Sequence, residues 1–377
     1  MDYTRREFGR IALATATLPL APWRLMAAAK PNSVFGGVQI GTITYSFRSL
    51  PSSAEQVLQY CLDCGISGIE LMSNVAEGYA GAPNQGRGGF PGGPPPGAGA
   101  PGAGGPPPGA GAPGAPGAPG AGGPPQGAGA AGAQPPGAGG RGRAPLTPEQ
   151  QEAQRKRAEE TKAWRLSVSM DKYRAFRKMY EDAGVKIYAF KLPPTLQMSD
   201  EEYAYIWNVT ETLGANHVTM ELPTDDALLA RVAAYAEKRK LRIAFHTHGQ
   251  GGASGFDKVL SASPYTALNF DVGHYFGVNG ESPVPLVEKY HARIASLHLK
   301  DRKGPTPGQP AAEGGRGGGP NMPWGQGETP LVAVLQSMKK NKYKFPASIE
   351  YEYQTPEGSD VLTEMKKCVE YCRKALA

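Results

Sequence analysis

No stretch of this sequence is apolar for long enough to cross a bilayer, which takes roughly 20 consecutive apolar residues. The best candidate, Ile11 to Pro22, falls well short, so stable membrane insertion is excluded. An excess of one charge is also missing once its position is considered. The formal net charge is +6. Half of that excess comes from Arg5, Arg6, Arg10, Arg24 and Lys30 against Asp2 and Glu7, and half from Arg87, Arg141 and Arg143 in a segment without acids. The rest of the chain is neutral, whereas a surface that tracks phosphates needs clustered Lys and Arg. Nucleic acid is not an expected partner.

From 81 to 145 the chain is almost wholly Gly, Pro and Ala. It lacks the apolar side chains needed to offset the backbone entropy of folding and reads as disordered. A collagen-like helix needs glycine at every third position, and Ala103-Gly104-Gly105-Pro106-Pro107-Pro108 breaks that period.

What is present begins at the N-terminus. Thr4-Arg5-Arg6-Glu7-Phe8-Gly9-Arg10 precedes the short apolar run, and Ala27-Ala28-Ala29 follows it. A basic start, an apolar middle and a small-residue exit read as a signal peptide over residues 1–30, with the paired arginines of the twin-arginine type. The expectation is a periplasmic or exported protein, folded before it crosses.

Without the signal and the tract, about 280 residues remain, near the ~250 of a single (β/α)₈ TIM barrel. β-rich runs alternate with helical stretches over 31–377, as in a parallel sheet with crossover helices. Strands are expected at Val38 to Phe47, Gly68 to Met72, Val185 to Leu192, His217 to Leu222, Arg242 to His248, Ala267 to Val272, Ile294 to Leu299 and Ala347 to Tyr353. Helices are expected at Ala54 to Cys64, Met170 to Ala183, Asp200 to Leu213, Asp225 to Arg239, Gly255 to Leu260, Val284 to Tyr290, Pro330 to Lys340 and Gly358 to Leu376. Cys61 and Cys64 fall on the first helix and Cys368 and Cys372 on the last, which are neighbours in a closed barrel. Buried thiols are favoured there over disulfides or a structural zinc.

In a barrel the strand ends share one mouth, so polar residues at those ends meet in space. Glu221 ends strand four. His246 and His248 share one side of strand five, because side chains alternate with period two. Asp271 and His274 end strand six, His298 and Lys300 share a face of strand seven, and Glu350 and Glu352 one of strand eight. Asp, Glu and His converging on an open mouth suit a divalent cation that keeps positions free for substrate oxygens.

These motifs, Gly68-Ile69-Glu70-Leu71, His246-x-His248, Asp271-x-x-His274, His298-Leu299-Lys300-Asp301 and Ile349-Glu350-Tyr351-Glu352, resemble the sugar phosphate isomerase/epimerase family of xylose-isomerase-like barrels. The resemblance spans nearly all of the mature sequence outside the tract. It implies a divalent metal (Mn, Mg, Co or Zn) held by Asp271, His298 and Glu350, with a fourth ligand from Glu221 or His246, of which Glu221 is favoured. Glu350 is preferred to Glu352. The resemblance further implies Glu221 and Glu350 as base and acid. His248, His274, Lys300 and Arg302 are then expected on the substrate, with Trp324 over a sugar face.

The implied reaction is isomerisation or epimerisation of a keto sugar through an enediolate. Dehydration or cleavage of a 3-keto glycoside is the close alternative. An abasic-site endonuclease is disfavoured by the neutral barrel, and a sugar-binding protein without catalysis is a third class. Oligomeric state is left open.

Overall fold

In the computed structural model, residues 30–83, 147–249, 252–305 and 318–377 are described. The signal-peptide reading of residues 1–30, but for Lys30, nearly all of the 81–145 tract and residues 306–317 lie outside them.

The strands are β1 (Val38–Ile43), β2 (Gly68–Met72), β3 (Lys186–Lys191), β4 (His217–Glu221), β5 (Arg242–His246), β6 (Thr266–Asp271), β7 (Ile294–Leu299) and β8 (Ala347–Ile349). The helices are α1 (Ala54–Asp63), α2 (Ser73–Ala80), α3 (Pro148–Ser167), α4 (Met170–Asp182), α5 (Asp200–Thr212), α6 (Asp226–Arg239), α7 (Gly252–Ser261), α8 (Val272–Asn279), α9 (Val284–Tyr290), α10 (Leu331–Asn341) and α11 (Val361–Ala375). Each β strand pairs in parallel with the next in sequence, and β8 pairs with β1. The sheet therefore closes into a (β/α)₈ barrel. A two-residue strand, Val34–Phe35, folds back antiparallel on β1.

Among the described residues, those up to 81 and from 168 onward form one compact unit, and those between 82 and 167 a second. The described part of the second unit is mostly α3, a helix of charged and polar residues with an ion pair between Glu152 and Arg155 one turn apart.

Helix starts carry the side chains that satisfy first-turn amides. Ser53 with Gln56 and Ser199 with Glu202 form capping boxes on α1 and α5. Asp225 and Asp360 cap α6 and α11. Gly184 and Gly214 follow α4 and α5 with φ of +88° and +75°, a conformation that a β-carbon disfavours.

Period-two alternation divides each strand. Outward residues such as Val218, Ile243, Phe245, Phe270 and Leu297 are buried against the helix layer, and Phe270 meets Phe256 of α7 edge-on at 5.2 Å. Inward residues are polar to an unusual degree: Glu70, His217, Thr219, His246, Asn269, Asp271, Ser296 and His298 are all buried. This polar interior sets up the site.

Three strands end two or more residues sooner than the sequence suggests. β1 stops at Ile43, and Thr44–Phe47 forms a 3₁₀ turn rather than strand. The Thr42 and Ser46 hydroxyls donate to the Ile349 carbonyl at 2.8 and 3.2 Å, and Tyr351 N donates to Ser46 Oγ at 3.0 Å. Hydroxyls thus replace the ladder bonds where β1 and β8 part, so β8 stops at Ile349 and not at Tyr353. β5 ends at His246, before His248. Helices α2, α3 and α8 were not expected.

Candidate functional site

The inward residues of β2, β4, β6 and β7 form a hydrogen-bonded column. His217 Nε2 lies 3.0 Å from Ser296 Oγ, and Asn269 Nδ2 donates to Ser296 Oγ and to Glu70 Oε2, both at 2.9 Å. Thr219 Oγ1 donates to Glu70 Oε1 at 2.7 Å. His298 closes the column, its Nε2 2.7 Å from Glu70 Oε2 and its Nδ1 2.5 Å from Glu350 Oε2. Burial alone would raise the Glu70 carboxyl, but the adjoining His298 lowers it to about 2. Burial would correspondingly lower His298, and the two carboxylates raise it to about 10.

At the mouth end of this column one donor atom from each of His246, Asp271, His298 and Glu350 lies within 4.8 Å of the others. All four residues are buried. Asp271 accepts the His274 amide on Oδ1 at 2.7 Å, which caps α8 and aims Oδ2 at the group. That Oδ2 is buried without a hydrogen bond, although the Lys300 ammonium stands 3.0 Å away. Burial, with the charges of Lys191 and His298, lowers His246 to about 3 against the pull of Glu221, so its ring is neutral. Two imidazoles and two carboxylates converging on one point, one carboxylate oxygen lacking a hydrogen bond, fit a divalent cation of intermediate softness.

Two clusters flank the group. On one side the Lys300 ammonium lies 2.8, 3.0 and 3.1 Å from Glu352, Asp271 and Glu350. Burial opposes its charge, and these three carboxylates raise its pKa well above the usual lysine value. Lys300 can sit this deep because residue 273 is glycine; a β-carbon there would collide with the Lys300 carbonyl. Lys300 Nζ and Arg302 Nη1 each lie 2.6 Å from a ring nitrogen of His274. Burial and these cations push His274 well below its usual pKa.

On the other side Glu221 Oε1 accepts from Lys191 Nζ at 3.0 Å, and Oε2 lies 3.1 Å from His248 Nδ1. Burial would raise Glu221, yet Lys191 and the two histidines hold it well below the usual carboxylate range.

The structure thus brings together His246, Asp271, His298 and Glu350, with His274 and Lys300 against them. Glu221, favoured over His246 on the sequence, is not in the four-residue group; it pairs instead with Lys191 and His248. Arg302 is 6% exposed and also donates to the Gly319 carbonyl. Trp324 is not brought to the group. It meets Tyr371 of α11 edge-on at 5.5 Å and lines a separate hollow of about 500 Å³ with Thr363, Lys366 and Glu370. The four cysteines are free and buried. Burial raises Cys61 and Cys64, the latter to about 12.

Lys191, Thr219 and Asn269 went unnoticed on the sequence, and Glu70 figured only within a motif. A charged or amide side chain enclosed by apolar neighbours, as in Gly68-Ile69-Glu70-Leu71-Met72 and Leu268-Asn269-Phe270, is the signal that could have found them.

Residues 227–373 match the family described as a xylose isomerase-like TIM barrel. An inosose dehydratase of Clostridium botulinum (strain Eklund 17B) is 28% identical over 157 residues, 39% of this chain and 52% of that protein. An inosose dehydratase of Clostridium beijerinckii is 33% identical over 78 residues, 19% of this chain and 26% of that protein. The chain thus spans about half the length, or less, of these curated relatives. A xylose isomerase domain protein from Alicyclobacillus acidocaldarius superposes with a TM-score of 0.52 at 14% identity, covering 89% of this chain and 99% of that one. Together, the closed parallel barrel and its superposition on that protein identify the fold as a (β/α)₈ TIM barrel, and residues 227–373 are the part of it that is similar to the xylose isomerase-like family.

Proposed function

We propose that this chain is an enzyme that moves the proton on the carbon beside a ketone of a sugar or cyclic polyol. The observation that carries the reading is the four-donor group at the mouth, flanked by a carboxylate–histidine pair on one side and an ammonium–carboxylate pair on the other. A divalent cation held by His246, Asp271, His298 and Glu350 would polarise the ketone and a neighbouring hydroxyl.

Glu221 is the most exposed carboxylate of the set, its side chain 40% accessible, and it takes the carbon-bound proton. Its low pKa keeps it ionised but makes it a weak base. His248, 3.1 Å away, offsets this by accepting the proton in turn. On the opposite side the Lys300 ammonium, backed by Glu352, faces the developing oxyanion or a departing hydroxyl, and the proton held by the Glu221–His248 pair returns to the product or leaves with the hydroxyl as water.

The enediolate has two fates. Reprotonation gives an isomer or epimer, and expulsion of a β-hydroxyl gives dehydration. The inosose dehydratases among its relatives favour the second fate, on a cyclic polyhydroxy ketone. Incubation of metal-loaded protein with keto sugars and inososes in deuterated water, followed by NMR, tests the proposal. Deuterium entering the α-carbon with an unchanged skeleton marks an isomerase or epimerase, and an enone or diketone product marks a dehydratase. No exchange with any of them overturns the reading.

Export by the twin-arginine route belongs to the same proposal. Replacing Arg5 and Arg6 by Lys is expected to hold the precursor in the cytoplasm, and unchanged fractionation would refute that route.

A further inference from the structure

We propose that Glu70 is a positioning residue that decides which ring nitrogen of both His246 and His298 faces the cation group. The inference rests on the reading that His246, Asp271, His298 and Glu350 hold a divalent cation. A histidine can ligate only through a nitrogen that carries a lone pair, and the partner of the other nitrogen decides which one that is.

For His298 the control is direct. Its Nε2 lies 2.7 Å from Glu70 Oε2, and an ionised carboxylate only accepts. Nε2 must therefore carry a hydrogen, so a cation can be met only by the lone pair uncovered when Nδ1, the nitrogen beside Glu350 at 2.5 Å, gives up its own.

For His246 the control passes through Asn269. The same Oε2 of Glu70 faces the Asn269 side chain at 2.9 Å, so the amide must present its NH₂ there. Its oxygen then points the other way, 3.0 Å from His246 Nδ1. An amide oxygen also only accepts, so Nδ1 carries the hydrogen and Nε2 keeps the lone pair. That Nε2 is the atom facing Asp271 Oδ2, at 4.0 Å.

One oxygen of one buried acid on β2 therefore presents opposite nitrogens of two histidines, on β5 and β7, to a single point. Thr219, donating to the other oxygen at 2.7 Å, holds the carboxylate in the orientation that does this. Glu70 is fully buried and acts only through these hydrogen bonds.

The test uses full-length protein loaded with Zn²⁺ and labelled with ¹⁵N at histidine. Long-range ¹H–¹⁵N spectra report the protonated nitrogen of each ring, and chelator competition gives the affinity. Wild-type protein is expected to show His298 protonated at Nε2 and His246 at Nδ1. Glu70→Leu removes the acceptor; both patterns are expected to be lost and Zn²⁺ affinity to fall by about 10–100-fold. Glu70→Gln can turn its oxygen to Asn269 and His298 and its NH₂ to the Thr219 hydroxyl, so it should restore both patterns.

Asn269→Ala should scramble His246 alone, and it carries the test if Glu70→Leu does not fold. A folded Glu70→Leu or Asn269→Ala protein with wild-type ring patterns and affinity overturns the assignment and leaves the metal reading intact. Equal loss in Glu70→Gln and Glu70→Leu overturns it as well, because charge rather than acceptance would then be at work. Wild-type protein that takes up no zinc overturns the metal reading and this inference with it.

Discussion

Glu350 and Glu352 stand two residues apart, yet the structure gives them different company. Glu350 is buried against His298 and within the four-donor group, whereas Glu352 reaches Lys300 at 2.8 Å from a more exposed position. Glu350→Gln keeps the size but loses the charge of a ligand. It is expected to weaken Zn²⁺ or Mn²⁺ binding by at least the roughly 10–100-fold that outer-shell changes cost and to abolish α-proton exchange. Glu352→Gln should bind metal almost normally and slow exchange. Metal titration and deuterium incorporation on both proteins separate the two roles, and metal binding unchanged in Glu350→Gln would remove that residue from the group.

His217 supplies a pH dependence away from the proposed ligands. Burial lowers its pKa from 6.5 to about 4, so between those values the unfolded chain binds the proton and the folded one does not. Stability from this residue is complete above pH 6.5 and is lost as the pH falls towards 4, by on the order of 3 kcal/mol. His217→Asn should flatten that part of the stability profile in urea melts at pH 7 and pH 4.5. The meeting of His246, Asp271, His298 and Glu350 at the barrel mouth was legible from their places at strand ends. The shared strand faces expected for His246 with His248 and for Glu350 with Glu352 were not found, since β5 ends at His246 and β8 at Ile349. The pairing of Glu221 with Lys191 and His248 was not legible, because Lys191 comes from β3 and sequence spacing holds no information on that meeting.

Strands and helices were legible where their pattern is regular. All eight barrel strands overlap the β-rich runs that predicted them, and α4 and α5 end within a residue of their expected ends, each followed by a glycine at positive φ. The misreadings fall where one residue serves two purposes. Asp271 ends β6 and also caps α8, so a helix begins at Val272 with no intervening loop to announce it. Likewise α2 starts directly after β2, with Met72 at its cap and no side-chain signal. The tight β6–α8 join makes its own prediction. Gly273→Ala would force a β-carbon into the Lys300 backbone, costing about 1–3 kcal/mol and displacing Lys300 from its three carboxylates. Thermal melts together with metal affinity would register both effects, and a variant indistinguishable from wild type in each would show that the close approach is not needed.

At the scale of the whole molecule, the eight barrel strands all belong to the unit outside residues 82–167, and the composition of 84–146 offers almost nothing to a core. Deleting 84–146 is therefore expected to leave a single cooperative unfolding transition, and loss of cooperativity in calorimetry would contradict this.

The polar column from His217 to Glu350 has a consequence for how the sequence can change. An oily interior absorbs substitutions one at a time, because its contacts have no direction. A column of donors and acceptors does not, since each side chain satisfies the polarity of its neighbours. Thr219→Val and Asn269→Ala should therefore show a combined stability loss that departs from the sum of the two by roughly 0.5–3 kcal/mol. Neutral drift across this interior would have to proceed by matched pairs of replacements on different strands, so that the barrel's history is recorded as compensated exchanges in its centre and as independent ones in its helices.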